Sequence, residues 1–592
     1  MCRLAGFIDP GLKLTDLIRM RDSMYRGGPD DQGTFVDEDS RVYLGHNRLS
    51  IIDLGPGGHQ PMSDEGGQVH LIYNGEVYNY VALRDELTAL GHKFKTRSDT
   101  EVILQAYLQW GNMGFSRLNG MFALAIWDKR KNSMILARDH AGIKPLYYAV
   151  RGGNLYFASE IKAFRALQPD WPEDKNWKIF FLAFGHIPAP RTTLQQVQSL
   201  AKGSILEFEI GQSRIKLHSF IPGHDIKEKV APGEAALRVR STLEQAIRRH
   251  LISDAPLGIF LSGGIDSSLL TLLAKPWVKE HLHTLSVHFN ESGYSEKKYQ
   301  DQVVQMAGSR HHEYVVTSAD FDLQLPDALR AMDQPSTDAI NVYMISGYAH
   351  RAGLKSVLSG IGADELFGGY PSVKNSSWWQ WLVKCPGPVL ELATLGTSDR
   401  YRKIKFATLK NSTGEYLFYR GLHTIDRIAD ILEADETEVR HQLDSMQTAS
   451  WNGEDRLEKA SWLEYHAYMH NQLLKDADYM SMWHSLEIRV PFLDKEFVEL
   501  VNTMPSDIRF KPGQPKFLLI ESCKDILPEA IWNRPKQGFT LPFELWMKTS
   551  EQVRPQTPKE EKYFQAFKQG RLSWARYWAI KMAGSWKLEA RS

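Results

Sequence analysis

Apolar runs of strand length, closed by small or charged residues, recur along the first part of this chain. Arg48-Leu49-Ser50-Ile51-Ile52-Asp53 reads as a half-buried strand with a charge at its mouth, and Leu71 to Asn79 as an apolar strand ending in Asn74-Gly75-Glu76. Polar Thr96 to Glu101 precedes an apolar run with helical spacing. Segment 185–208 reads as a proline-rich turn followed by short strands, and the polar stretch 211–233 predicts a linker. Beyond it the rhythm changes. Ala236, Leu237, Val239, Leu243, Ala246 and Ile247 recur at helical spacing before a continuous apolar run, Leu257 to Leu261. Leu282 to Phe289 and Leu354 to Gly360 read as further buried strands with helical crossovers between them, as in a parallel sheet. Residues from 371 onward are helix-rich by pattern, and Trp378, Trp379 and Trp381 predict packing or an interface. The pattern predicts two domains, 2–210 and 234–592, the second an α/β unit with a helical C-terminal part.

Candidate chemistry sits at the ends of these runs. After Leu261 come Ser262-Gly263-Gly264-Ile265-Asp266-Ser267-Ser268, then an apolar helix start. Strand, glycine turn and helix aim unpaired N–H groups at an anion, and three hydroxyls add donors. A carboxylate at Asp266 repels phosphate unless Mg²⁺ lies between them. No Gly-Lys-Ser/Thr follows, so this is not a Walker A loop, and a loop that merely turns the chain stays open. Ser359 and Gly360 end a second strand, and Asp364 follows as a partner carboxylate for Asp266; a helix N-terminal charge pair is the plainer alternative. At the other end, removal of Met1 gives Cys2 a free α-amine, which can serve as general base to its own thiol. Cys2, an amide donor at Asn74, and charges at Arg48, Glu76 and Asp99 together supply what amide hydrolysis needs. Singly they have plainer readings: a hairpin turn at Asn74-Gly75, a helix cap at Ser98 or Asp99.

Composition narrows the partners. Lys plus Arg equals Asp plus Glu at 71 each, so no global field favours nucleic acid or an anionic membrane. No apolar run reaches transmembrane length. Three cysteines are too few and too scattered for a disulfide framework or a zinc site, which predicts a reducing cytoplasm.

The loop SGGIDSS resembles the pyrophosphate loop of the ATP pyrophosphatases. Cys2, RLSIID, YNGEVYN and RSDTEV, followed by residues 119–123, 137–140 and 144–148, resemble the class II glutamine amidotransferase domain, an N-terminal-nucleophile hydrolase with an αββα sandwich. With DYMSMWHSLEIRVPF and RPKQGF downstream, the chain is similar over its whole length to the glutamine-dependent asparagine synthetases. That resemblance implies Cys2 as nucleophile and Asn74 with the Gly75 N–H as oxyanion hole. It implies L-glutamine held by Arg48, Glu76 and Asp99, with Leu49, Ser50, Ile51 and Ile52 around it. It implies ATP and Mg²⁺: Leu261 and Val287 at the adenine, the two loops through Gly263, Gly264, Ser359 and Gly360 at the phosphates, Asp266 and Asp364 on the metal, and Lys536 on the departing pyrophosphate. Ammonia passing through an internal tunnel to an acyl-adenylate follows, and the family allows a homodimer. Two departures stand out. The family's Arg-Gly-Pro-Asp is Arg26-Gly27-Gly28-Pro29-Asp30 here, which predicts an altered loop. At the second loop a glutamate beside the reacting carboxyl is replaced by Ile361, so Ile361 and Glu365 become candidate acceptor-site residues. Aspartate to asparagine is the first expected reaction, with another carboxylic acid, such as a sugar acid or a natural-product precursor, as the alternative. A β-lactam-synthetase-like cyclase lacks the N-terminal nucleophile that Cys2 supplies here.

Overall fold

The computed structural model describes all residues except Met1, Ser213, 222–226, 279–281, Ser292, 395–398, 447–450, Asn452, 536–540 and 587–592. Its N-terminal half is built from two six-stranded antiparallel sheets. The first runs, in spatial order, Gln198–Ser199, Tyr147–Arg151, Asn154–Ala158, Cys2–Ile8, Val42–Arg48, Asp31–Asp37. The second runs Arg214–Ser219, Ser204–Glu209, Ser133–Arg138, Gly120–Asp128, Val69–Val77, Met62–Ser63. Alternate residues of each face inward, where Leu4, Val42 and Leu44 meet Ile72, Trp127 and Leu136 in one core. Helices Leu14–Asp22 and Lys162–Leu167 cover the outer face of the first sheet. Helices Tyr80–Ala89 and Asp99–Trp110 cover that of the second. This is the four-layer αββα arrangement.

The second half carries a five-stranded parallel sheet in the order Arg310–Val316, His283–Phe289, Leu257–Phe260, Ser356–Leu358, Glu487–Arg489. The strand order reverses beside Leu257–Phe260, so the chain leaves it and Ser356–Leu358 on opposite sides of one crevice. Among the described residues from Pro371 on, helices predominate, and none of the described helices is long and apolar enough to cross a membrane.

Several local expectations change. RLSIID is not a strand: the strand ends at Arg48, and 49–53 form a loop whose Leu49 and Ile51 are buried. The strand Val69–Val77 runs straight through Asn74-Gly75-Glu76 instead of stopping there, because all nine residues are buried between sheet neighbours. The stretch 211–233 holds the edge strand Arg214–Ser219 and the start of helix Pro232–His250. That strand alternates Ile215 and Leu217 with Arg214, Lys216 and His218, but both of its faces are largely exposed, so its apolar residues sit at the open edge of the sheet. In the helix Ala235 is buried, and Leu237 faces outward at 73% exposure.

Candidate active sites

The first site forms where the two sheets meet. Cys2 opens a central strand, in register with Arg48 on the neighbouring one. Its backbone N lies 3.1 Å from Oδ1 of Asn74 on the opposite sheet. Asn74 Nδ2 is buried and has no hydrogen-bond partner among the described residues, an orphan donor of the kind native interiors rarely keep without a purpose. Gly75 is required by its backbone: φ is +156°, and a Cβ would sit 2.0 Å from the Met121 carbonyl oxygen. A pocket is lined by Cys2, Arg48, Tyr73, Gly75, Glu76 and Asp99, with Leu49, Ile51 and Ile52 on its wall. All of these except Tyr73 are candidates in the sequence.

Arg48 and Asp99 are each held in place by hydrogen bonds. Arg48 donates from Nη1 to the Gly55 carbonyl at 2.8 Å, and from Nη2 to the carbonyls of Ile52 and Asp53, which bends the 49–55 loop around its guanidinium. Ser50 N–H donates to Asp30 Oδ2 at 2.8 Å, so the altered 26–30 segment braces the loop. Asp99 Oδ2 accepts from the Tyr73 hydroxyl and the Val77 N–H, both at 3.0 Å, and burial raises its pKa. Ser98 caps the helix behind it. Burial pushes the Cys2 thiol up, against the lowering influence of Arg48. Burial also drives Glu76 far up, helped by the Glu487 carboxylate.

The second site fills the crevice of the parallel sheet. Gly264 caps helix Ile265–Ala274, and the Ser262 and Ser267 hydroxyls lie 3.0 Å apart across the turn. The 359–364 loop presses against it: a Cβ on Gly360 would come 2.7 Å from Asp266 Cβ, and one on Gly369 would come 1.7 Å from Asp364 Oδ1. Asp266 and Asp364 therefore meet, and both hold the ammonium of Lys516, at 2.6 Å and 2.8 Å. Burial works against that charge, but the two carboxylates outweigh it and hold the lysine's pKa above its ordinary value. Lys516 also adopts a left-handed φ of 57°, a strained backbone of the kind kept at functional positions. Arg534 reaches the loop from the C-terminal region, donating to the Gly263 carbonyl at 3.0 Å and pairing with Glu296 at 2.6 Å. Leu261, just past its strand, and Val287, within His283–Phe289, are buried, and the Ser359 N–H donates to the Arg489 carbonyl. Lys536 lies outside the described residues.

The metal assignment can be tested on the donors present. Asp266 and Asp364 are each about one-fifth exposed (20% and 18%) and already converge on one cation. Mg²⁺ is commonly bound by one or two carboxylates together with substrate phosphates, so this pair fits it. No cluster of three or more His, Cys, Asp or Glu among the described residues is placed to hold a metal unaided, which leaves the other ligands to phosphate oxygens and water.

At the acceptor end, Ile361 is half-buried against the core. Glu365 turns inward: its oxygens accept from the Gly362 N–H at 3.1 Å and the Tyr370 hydroxyl at 2.8 Å, and it is 1% exposed. Burial and neighbouring Asp364 push its pKa up to about 7. It caps the turn with these two hydrogen bonds.

The residues joining the sites have no role legible in the sequence. Arg489 Nη2 lies 3.5 Å from Glu76, its Nε donates to Glu487, and its Nη1 donates to the His250 and Ile252 carbonyls. Asn119 Nδ2 donates to Asp494, and buried Arg3 pairs with Asp478 at 2.8 Å. The 478–492 motif is thus a contact surface for the N-terminal half, a role its spacing did not reveal.

Family models agree with this layout. The model described as glutamine amidotransferase domain matches residues 1–220, and that described as asparagine synthase matches residues 238–566. The chain is 33% identical over 90% of its length, and 84% of the relative's, to asparagine synthetase (glutamine-hydrolyzing) 1 of Bacillus subtilis strain 168. It is 30% identical to a putative asparagine synthetase (glutamine-hydrolyzing) of Mycobacterium bovis, over 89% of this chain and 84% of that one. It is also 27% identical to amidase chry2 of Gibberella zeae, over 88% and 84% of the two chains.

Proposed function

In a chain that belongs to the glutamine-dependent asparagine synthase family, we propose that residues 2–210 release ammonia from L-glutamine and residues 234–592 use ATP to prepare a carboxylate for it. The convergence of Asp266, Asp364 and Lys516 at the mouth of the phosphate loop carries this reading.

In the first site the Cys2 thiol attacks the glutamine amide carbon, with the α-amine exposed by loss of Met1 taking the proton. The orphan Asn74 Nδ2 suits the developing oxyanion, alongside the Gly75 N–H. Arg48 suits the α-carboxylate, and Asp99 with Glu76 the α-ammonium. Ammonia leaves, and water later hydrolyses the thioester. In the second site the acceptor carboxylate attacks the α-phosphorus of ATP to give an acyl-adenylate and pyrophosphate. Mg²⁺ bound there would neutralise the phosphate charge. Lys516, charged and aimed by two carboxylates, stabilises the same leaving group, a task the sequence alone suggested for Lys536. Ammonia then attacks the acyl carbon and displaces AMP. Transfer inside the protein keeps ammonia unprotonated and nucleophilic.

Aspartate is the acceptor that the relatives' names point to. Ile361 points elsewhere, because a half-buried aliphatic chain offers an ammonium group no partner, and Glu365 is already engaged. Ile361→Glu is expected to raise the use of aspartate relative to uncharged or bulkier acids by about tenfold or more, read as the ratio of kcat/KM values for pyrophosphate release. Highly specific asparagine formation by the wild type, unmoved by the substitution, would make aspartate the acceptor.

A further inference from the structure

Resting on that amidation reading, we infer that the acceptor is an aryl-bearing carboxylic acid whose body lodges in a cavity of about 780 Å³ between the second nucleotide loop and the C-terminal helices. The cavity starts at Tyr370. This residue follows Gly369, which abuts Asp364, and its hydroxyl is bound to Glu365 of the same loop. It therefore adjoins the place where the reacting carboxylate must meet ATP.

Its walls are aromatic: Tyr370, Trp378, Tyr401, Phe418 and Tyr419. Were these rings only core they would be covered, yet Trp378 is 65% and Tyr401 60% exposed. Rings open to a concave site offer stacking surface to a flat ligand. Aspartate has two carboxylates, an ammonium and one methylene, and so has no flat apolar face to stack on them. The cavity also lies within the size range that holds molecules several times larger.

Ser372, Asn375, Lys403, Arg420 and Glu464 also line it, and Arg420 is the group placed to set the orientation. Arg420 donates from Nε to buried Glu464 at 2.7 Å, and its guanidinium lies over the rings of Tyr370 at 4.2 Å and Tyr468 at 3.5 Å. Its two Nη groups donate to no described residue, so the forked edge of a clamped arginine remains for a ligand. A planar fork of this kind reads a carbonyl or a second carboxylate. The acceptor is thus an aryl acid with a hydrogen-bond acceptor between ring and reacting carboxyl, or on the ring. Ile361 at the loop fits such a body where a glutamate would suit an ammonium.

The test is pyrophosphate release with glutamine and Mg²⁺-ATP, comparing L-aspartate with benzoate, phenylacetate and N-benzoylglycine. N-benzoylglycine is expected to exceed aspartate by about tenfold or more in kcat/KM. Trp378→Ala, at an exposed position, and Arg420→Lys, which keeps the charge facing Glu464, should each raise its KM by about tenfold while the KM for ATP stays put. If aspartate is the best substrate and neither substitution moves any acceptor's KM, the cavity is not the acceptor site, and amidation itself stands. If no acid, aspartate included, gives pyrophosphate while glutamine is still hydrolysed, the amidation reading fails and takes this inference with it.

Discussion

Cys2→Ala abolishes glutamine-dependent product formation, by about a thousandfold or more, and leaves amidation from added ammonium salt within about twofold of wild type. The loss is large because every step of the proposed glutamine hydrolysis passes through the sulfur, and Cys2 carries the one thiol among the described residues that line the pocket with Arg48 and Asp99. The remaining activity is preserved because the substitution removes one atom at the start of a strand held by registers to Val42–Arg48 and Asn154–Ala158. It does not reach the crevice of the parallel sheet. Ammonia assayed from glutamine, and pyrophosphate assayed with ammonium chloride, separate the two. Wild-type glutaminase activity in this variant removes Cys2 from the mechanism.

Asp364→Asn and Asp266→Asn should have the opposite pattern. Each lowers acceptor-dependent pyrophosphate release by about a hundredfold or more, since each removes a charge that converges on Lys516 and that suits Mg²⁺. Lys516→Met should lose as much, from the other sign of charge. Glutamine hydrolysis continues in all three. Raising Mg²⁺ should recover part of the loss in the Asp variants and none in Lys516→Met, which separates a weakened metal site from a missing cation. Loss of glutaminase activity with intact pyrophosphate release contradicts the division between the two sites.

What was legible in the sequence was contiguous. SGGIDSS, YNGEVYN and RSDTEV keep strand end, glycine and functional side chain within a few residues, so chemistry and local structure could be read together. Gly75 and Gly360 stand where close approach leaves no room for a Cβ. The apolar runs at 257–261 and 282–289 gave the parallel strands because both faces are covered, whereas the edge strand Arg214–Ser219 carries only a short alternation, with Ile215 and Leu217 exposed, inside a stretch punctuated by glycine and proline. Lys516 was hidden for a different reason. Its segment, Lys511-Pro512-Gly513-Gln514-Pro515-Lys516, has the composition of a loop, and the contact with Asp266 spans 250 residues. Arg489 and Glu487 sat inside a recognised motif, but only the packing of one half on the other gives them Glu76 as a neighbour. The aromatic cavity draws its lining from residues between 370 and 464 that share no pattern.

The three-residue strand Glu487–Arg489 also bears on whether this chain can be taken apart. Its backbone completes the parallel sheet and fixes Ser359 at the nucleotide loop, while its arginine stands against Glu76 of the glutamine pocket. A modular enzyme would let either half be cut out or exchanged for a relative's. Here a cut between them separates Arg489 from Glu76 and leaves it with Glu487 alone, and it exposes to water the groups that the contact buries. A chimaera that joins this glutaminase half to another synthetase half must therefore bring along a matching Glu-x-Arg, or inherit a glutamine pocket whose acidic wall has lost its counterweight.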